Sequence, residues 1–354
     1  MQPTQTALRV GGNGKYKLDS SAKIPVPRPT CVLVRNVAVA LNPADAKMVD
    51  LSASSGAIGG YDFAGEIVTV GSEVTRDLKI GDRVCGPVFG NNPGNPDCGA
   101  FCEYVEVEAQ LVLRIPDNMS FEDGAGLGIA SATVGMALYH SIGLPMAPVS
   151  RGKAQEEFAL VYGGSTSCGT LAVQLLVHSG YKVIATCSPK NFPLLKSLRA
   201  TGVFDYRSPN CASDILKATK NTLGIVLDCI TDRTTMKLCY GVMGDKGGKY
   251  TSLDPFPIPM HTRSDITPHW VFVLTMFGQA IAMKGAFKRK KRPQDVEFAK
   301  KWFVRMQELL DGNVIKPHPI RVIPGGLDAV VEGINELRLG KVSGEKLVVR
   351  VAET

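Results

Sequence analysis

The chain has 354 residues, 44% of them apolar and 21% charged, which excludes a disordered or fibrous protein and leaves material for two domains with buried cores. Forty basic against 33 acidic side chains give a net charge of +7, spread along the chain rather than gathered into the basic face of a nucleic-acid binder. The first ten residues lack the charged-then-apolar order of a signal peptide. The longest nearly uncharged apolar stretch, Val271 to Met283, is 13 residues, too short to cross a bilayer. Nine cysteines, an odd number, with five inside segments that read as helix or strand, point to a reduced, cytoplasmic protein.

From Ala7 to about Pro116 the chain is a succession of short β-like runs broken by Gly and Pro. Cys31 to Val39, Gly65 to Gly71, Asp82 to Cys85 and Phe101 to Val107 are the clearest, a spacing that predicts a small barrel or sandwich. From Phe158 the rhythm becomes strand, helix, strand, helix. Phe158 to Tyr162 is a strand, and Thr170 to Ser179, apolar nearly all round, is a buried helix stopped by Gly180. Tyr181 to Thr186 is a second strand, and Ser188-Pro189 reads as a helix cap with proline at the first position, a device repeated at Ser208-Pro209. Gly224 to Ile230 and Gly248 to Leu253 are later strands, so this stretch predicts a doubly wound parallel sheet. Near the end, Phe298, Trp302, Phe303, Met306, Leu309 and Leu310 share one helical face. Leu327, Val330, Val331, Ile334 and Leu337 share another, ahead of a strand to Val351. The fold class is α/β: residues 1–157 form a β-rich part, 158–285 the parallel-sheet domain, and 286–354 return to the first part.

The turn Tyr162-Gly163-Gly164-Ser165-Thr166-Ser167-Cys168-Gly169 follows a strand and opens a helix. That is the setting in which glycines admit a pyrophosphate and helix N–H groups bind it, although the spacing is not a clean G-x-G-x-x-G. The second strand ends Thr186-Cys187-Ser188-Pro189-Lys190-Asn191, with a hydroxyl and a cation where an acid would hold the ribose of NAD, which favours NADP. Phe204-Asp205-Tyr206-Arg207 adds an aromatic for the adenine and a second cation. Cys98 and Cys102 lack a second pair and the five histidines show no close pairing, so no metal is expected. No tyrosine has Lys four residues on and there is no G-x-S-x-G, which excludes short-chain dehydrogenase and serine-hydrolase chemistry. Asn42-Pro-Ala-Asp45-Ala-Lys47 reads in isolation as a turn with a solvated lysine, and Lys288 to Arg292 as a solvated basic loop.

Taken together, Asn42 to Lys47, Gly60 to Gly71, Ile80 to Val84 and Tyr162 to Thr166 resemble the medium-chain dehydrogenase/reductase superfamily. Within it, Ala185 to Phe192, Phe204 to Arg207, Leu227 to Thr231 and Ser343 to Val348 resemble the trans-acting enoyl reductases of fungal polyketide synthases, the lovastatin enoyl reductase type. The superfamily's zinc enzymes carry a metal-binding Cys and a His-Glu pair where this chain has Asn42 and Tyr61-Asp62, so the resemblance is to the zinc-free reductases. It implies a GroES-like domain beside a Rossmann domain, and reduction of an α,β-unsaturated thioester by NADPH. The partner implied is a polyketide synthase, read as a hybrid with a nonribosomal peptide synthetase, engaged through its acyl carrier domain.

By the same resemblance, Ala44, Asp45, Ala46 and Lys47 contact the cofactor, Lys47 being the candidate catalytic residue. Gly163, Gly164, Ser165, Thr166, Ser167 and Cys168 hold the pyrophosphate; Ser188, Pro189, Lys190, Asn191 and Tyr206 hold the adenosine phosphate end; Leu253, Asp254, Val342 and Ser343 lie on the nicotinamide side. A substrate channel is lined by Thr133, Val134, Gly135, Met136, Ala137, Leu138, Tyr139 and His140, and by Val273, Leu274, Thr275, Met276 and Phe277. Gly124-Ala-Gly-Leu-Gly128 departs from the superfamily pattern and is expected to loosen that turn. Residues 281–293 match least well; a monomer is favoured, and the basic run is a guess at the carrier's docking site. The alternatives carried are a free-standing quinone or alkenal reductase and a non-catalytic scaffold that binds NADPH.

Overall fold

The computed structural model describes residues 3–146 and 156–351. In chain order, β1 (Thr4–Val10), β2 (Tyr16–Lys23) and β3 (Cys31–Ala40) lead to α1 (Pro43–Ser52). β4 (Asp62–Val70), β5 (Arg83–Pro87), β6 (Tyr104–Glu108) and β7 (Leu113–Arg114) follow, then α2 (Phe121–Ala125) and α3 (Gly128–Gly135), which runs on as a π-helical turn over Met136–Ser141. The alternating stretch is β8 (Phe158–Tyr162), α4 (Ser167–His178), β9 (Lys182–Cys187), α5 (Phe192–Ser197), β10 (Gly202–Asp205), α6 (Cys211–Ala218), β11 (Ile225–Asp228), α7 (Arg233–Val242), β12 (Gly248–Ser252) and β13 (Ile266–Trp270). α8 (Pro293–Asp311), β14 (Ile320–Ile323), α9 (Gly326–Arg338) and β15 (Lys346–Arg350) complete it.

Two compact units result. The first comprises residues 1–132, 274–311 and 317–354, the second residues 133–273 and 312–316. The divisions fall inside α3, between Val273 and Leu274, and on either side of residues 312–316, whereas the sequence placed them at 157/158 and 285/286. The turn chemistry that marks Phe158 as a strand start says nothing about which side the preceding helix packs on.

In the first unit β1 and β2 form an antiparallel ribbon, and a seven-stranded sheet runs β14-β15-β3-β4-β5-β7, with β6 pairing the first half of β3 and β15 its end. Its core gathers alternate residues of these strands, among them Val32, Val34, Phe63, Ile67 and Val84, with Val330 and Ile334 of α9. α8 buries Trp302, Phe303, Met306, Leu309 and Leu310, and the Trp302 indole N–H donates to the Ser131 carbonyl at 2.8 Å. On α9 the expected apolar face is narrower: Val331 is 37% exposed while Leu327, Val330 and Ile334 are buried.

The second unit is a six-stranded, all-parallel sheet in the order β10-β9-β8-β11-β12-β13. This is a doubly wound order whose direction reverses between β8 and β11, and ligands of such sheets bind at the carboxyl ends of the strands flanking that reversal. α4 is buried from Gly169 to Leu176, in keeping with its all-apolar surface.

Candidate active site

One group of candidate residues stands on the second unit, where β8 ends. Gly163 has a φ of +76° and an added Cβ would lie 2.9 Å from Ile230, so the turn after β8 packs on the turn after β11 only because glycine stands there. An added Cβ at Gly169 would meet the Gly163 carbonyl at 2.3 Å, so the helix start is pressed equally close. Thr166 caps α4: its hydroxyl accepts from the Gly169 N–H and donates to the Gly163 carbonyl, both at 2.9 Å. The Ser167 hydroxyl in the first turn of α4 is buried and finds no hydrogen-bond partner among the described residues. Asn191 Nδ2 donates to Ser165 Oγ at 3.1 Å, tying this turn to the segment after β9.

That segment holds the nucleotide-selecting residues. Ser188 precedes a short 3-10 turn, Pro189–Asn191, and makes no capping bond; its hydroxyl instead accepts from Arg207 at 2.8 Å. Arg207 also donates twice to the Tyr206 hydroxyl, each at 3.2 Å, and its guanidinium lies 5.2 Å from the ring centroid. Hydrogen bonds with Ser188 and Arg207 hold the Tyr206 phenol below its usual range, and the ring is 39% exposed. Arg207, read from the sequence only as a nearby cation, is the residue that joins this cluster. Ser208-Pro209 likewise caps no helix directly: α6 begins at Cys211.

Asp228 at the end of β11 was missed as well. Its buried carboxyl accepts the Ile230 and Thr231 N–H groups at 3.0 Å each, Thr235 Oγ1 at 2.6 Å and Tyr250 Oη at 2.9 Å. Four donors around one carboxyl fix the turn that supports Gly163. Leu253 follows with its N–H on the Asp228 carbonyl at 3.2 Å, and Asp254 gives its carbonyl to Ser252 Oγ at 2.8 Å.

A separate group of candidate residues stands on the first unit. Asn42 to Lys47 is the start of α1, not a turn with a solvated lysine: Ala44 and Lys47 are half-buried, Ala46 and Asp45 buried. Asp45 Oδ2 accepts the Asn42 N–H at 2.7 Å, while Oδ1 has no partner among the described residues. Burial pushes this carboxyl up to about 8, the Asn42 N–H opposing and the Asp62 charge adding to the rise. Below α1, Asp62, Lys346 and Asn42 form a buried polar network: Lys346 Nζ reaches Asp62 Oδ2 at 2.5 Å and Asn42 Oδ1 at 3.0 Å. Val342 is half-buried and Ser343 exposed, just ahead of β15.

Gly128 packs tightly where the sequence predicted a loosened turn. A Cβ there would lie 2.4 Å from the Gly86 carbonyl and 2.6 Å from Asp62 Oδ1, so the glycine lets α3 settle against β5 and Asp62. Of the expected channel residues, Val134, Ala137 and Leu138 have no exposed surface and read as core, with Gly135, Met136, Thr133 and Tyr139 also buried and only His140 half-buried. Residues 273–277 form a 3-10 turn. In it Leu274, Thr275 and Met276 are buried, Thr275 Oγ1 bonds to the buried Asp295 at 2.5 Å, and Phe277 stacks on Phe89 at 5.7 Å. Val273 and Phe277 are the half-buried members. Among the described residues no three His, Cys, Asp or Glu side chains are grouped as a metal site, and no helix is long and apolar enough to cross a membrane.

The comparisons with known proteins agree on the class. Residues 28–117 match the Alcohol dehydrogenase GroES-like domain. The CurK enoyl reductase superposes with a TM-score of 0.77 over 98% of this chain and 99% of its own, at 18% identity, and the JamJ enoyl reductase with 0.75 over 98% and 99%, at 19%. A GroES-like unit with a doubly wound sheet is the medium-chain dehydrogenase/reductase fold. The trans-enoyl reductase caaB of Aspergillus niger is 44% identical over 355 residues, covering 98% of this chain and 97% of the relative. The trans-enoyl reductase apdC of Emericella nidulans is 46% identical over 349 residues, covering 98% of each. The chain therefore belongs to the fungal trans-enoyl reductases.

Proposed function

We propose that this enzyme reduces, in trans and with NADPH, the α,β-unsaturated thioester of a polyketide chain held on the acyl carrier domain of a polyketide synthase. The observation that carries the reading is resemblance to trans-enoyl reductases along the whole chain, at 42 to 46% identity. NADPH rather than NADH is supported by the segments after β9 and β10, where Arg207 donates to both Ser188 and Tyr206, Lys190 stands exposed, and the neighbouring Asp205 carboxylate is engaged by the Arg207 N–H at 3.0 Å. A 2′-phosphate offers acceptors to this arginine and hydroxyl, whereas the ribose 2′-hydroxyl of NADH asks for an acid. The buried Ser167 hydroxyl and the glycine-lined turn fit the pyrophosphate.

When bound, NADPH would supply the hydride that reaches the β-carbon. The chain's own task is then to hold the negative charge that develops on the thioester oxygen and to see a proton returned at the α-carbon. Lys47, half-buried on α1, is the candidate for the charge or the proton, and the Phe89–Phe277 pair offers an apolar wall to an acyl chain. A quinone oxidoreductase from Coxiella burnetii has the same fold, with a TM-score of 0.72, but at 22% identity that likeness reaches no further than the fold. NADPH consumption with an α-methyl enoyl pantetheine thioester, run beside a simple quinone, tests the reading. Turnover of the thioester supports it, and turnover of the quinone alone replaces it with the free-standing reductase. A scaffold would turn over neither.

A further inference from the structure

Asp62 opens β4 with its side chain fully buried, and its side-chain hydrogen bonds reach three different segments of the first unit. Oδ2 accepts from Asn42 Nδ2 at 3.0 Å, and Asn42 is the N-cap of α1, which carries Lys47. Oδ1 accepts the Ile129 N–H at 2.5 Å, in the first turn of α3. Lys346, three residues beyond Ser343, donates to Oδ2 at 2.5 Å and to Asn42 Oδ1 at 3.0 Å, which closes the ring. One carboxylate thus sets α1, α3 and the Val342-Ser343 segment against each other, although they lie far apart in sequence. Gly128 is part of the device, since any side chain there would collide with Asp62 Oδ1. Stability alone is a poor reason for the arrangement, because a buried ion pair is commonly no better than apolar residues of the same volume. What it supplies is direction: fixed donors and acceptors at fixed distances, which an apolar cluster lacks.

We propose that Asp62 is the positioning residue of the active site, a buried hub that holds Lys47 and the nicotinamide-side segment in register for the reaction. The inference rests on the function proposed above. Asp62 touches neither substrate nor cofactor; it acts through Asn42, Ile129 and Lys346. The pyrophosphate and adenosine residues all belong to the second unit and none of them bonds to it.

Two variants test it. D62N/K346M removes both charges together, so no unpaired buried ion is left, and N42A removes the bonds of the α1 N-cap residue to Asp62 and Lys346 while leaving that ion pair in place. The proposal predicts kcat down ~100-fold in the double variant and about tenfold in N42A, the scale of loss that ångström-level misplacement brings. The Kd for NADPH stays within about twofold of the parent's, because the pyrophosphate and adenosine residues of the second unit, which supply most of its charged contacts in the reading above, do not shift even where the nicotinamide-side segments do. Amide hydrogen exchange should speed up together at Asp45 to Lys47, Ile129 and Ser343 and stay unchanged in β11. A folded double variant with parental kcat overturns the proposal, as does a fall in NADPH affinity that matches the fall in kcat. If the double variant does not fold, N42A is read by the same two criteria. A parent enzyme with no thioester turnover would instead overturn the function, and the exchange pattern would still decide the hub: joint loosening of the three segments supports it, and loosening of β4 alone contradicts it.

Discussion

Asp45 is a carboxylic acid whose folded environment keeps its proton to about pH 8, chiefly through burial, while in the unfolded chain the same group titrates near the ordinary aspartate value of 3.8. Between those values the unfolded chain has released a proton that the folded one retains, so this residue's contribution to stability is full below pH 4 and is lost as pH rises towards 8. D45N keeps an acceptor for the Asn42 N–H and cannot ionise. Its melting temperature should therefore fall less than the parent's between pH 5 and 8.5, and parallel curves would contradict the assignment. At the nucleotide end, R207A removes the donor to Ser188 and Tyr206. It should weaken NADPH binding about tenfold or more, as loss of a charge-assisted contact does, and leave NADH within about twofold. Equal weakening of both would show that Arg207 does not read the phosphate. These two sites differ in how far the sequence disclosed them. Ser188, Tyr206 and Arg207 stand at the ends of consecutive strands, where the periodicity already placed them side by side. Asp62 and Lys346 are 284 residues apart, and only the antiparallel pairing of β15 and β4 on either side of β3 brings them together.

Among the elements, the alternation of strand and helix from β8 to β12 was plain in the sequence, because apolar strands and a buried helix leave compositional marks. The π-helical turn at Met136–Ser141 left none, since its sequence suits an α-helix equally well and only packing decides between them. The basic run proves to be partly structural. The Arg289 backbone pairs with Ile281 in both directions, at 2.9 and 3.1 Å, its side chain bonds to the Lys288 carbonyl, and Arg292 pairs with the buried Asp295 at 3.2 Å. Lys288, Lys290, Lys291 and Arg292 are exposed, and the three lysines, which stand outside the Arg292–Asp295 pair, are the members whose removal leaves that pair intact. K288A/K290A/K291A should raise KM for the carrier-bound enoyl thioester several-fold, ~3 to 10, by weakening encounter. KM for the free pantetheine thioester should not change; a rise in both would mean that the lysines act on the site and not on the carrier.

At the scale of the whole molecule, the insertion of a parallel sheet into a β-rich unit was legible from the change in rhythm at Phe158 and its reversal after Lys291. The boundaries within α3 and beside Val273 were not, because no Gly or Pro stands at either break, whereas Gly312 and Pro317 do mark the ends of the short segment 312–316. The sheet of the second unit ends at β13, whose side away from β12 has no strand on it among the described residues. Val271 donates to Ser252, so His269 and Thr267 face β12 as well, and Pro268 faces the open side with no N–H to offer. A proline at the middle of an edge strand discourages pairing with another chain. The protein should sediment as a 37.9 kDa monomer, and a dimer joined along β13 would contradict this. The measurement that bears most directly on the whole account follows the hydride itself, using NADPH deuterated at the transferred position and an α-methyl enoyl thioester. The account predicts one deuterium at the β-carbon of the saturated product and a solvent-derived proton at the α-carbon. Oxidation of the cofactor without deuterium in the thioester, or with label found elsewhere, would contradict it.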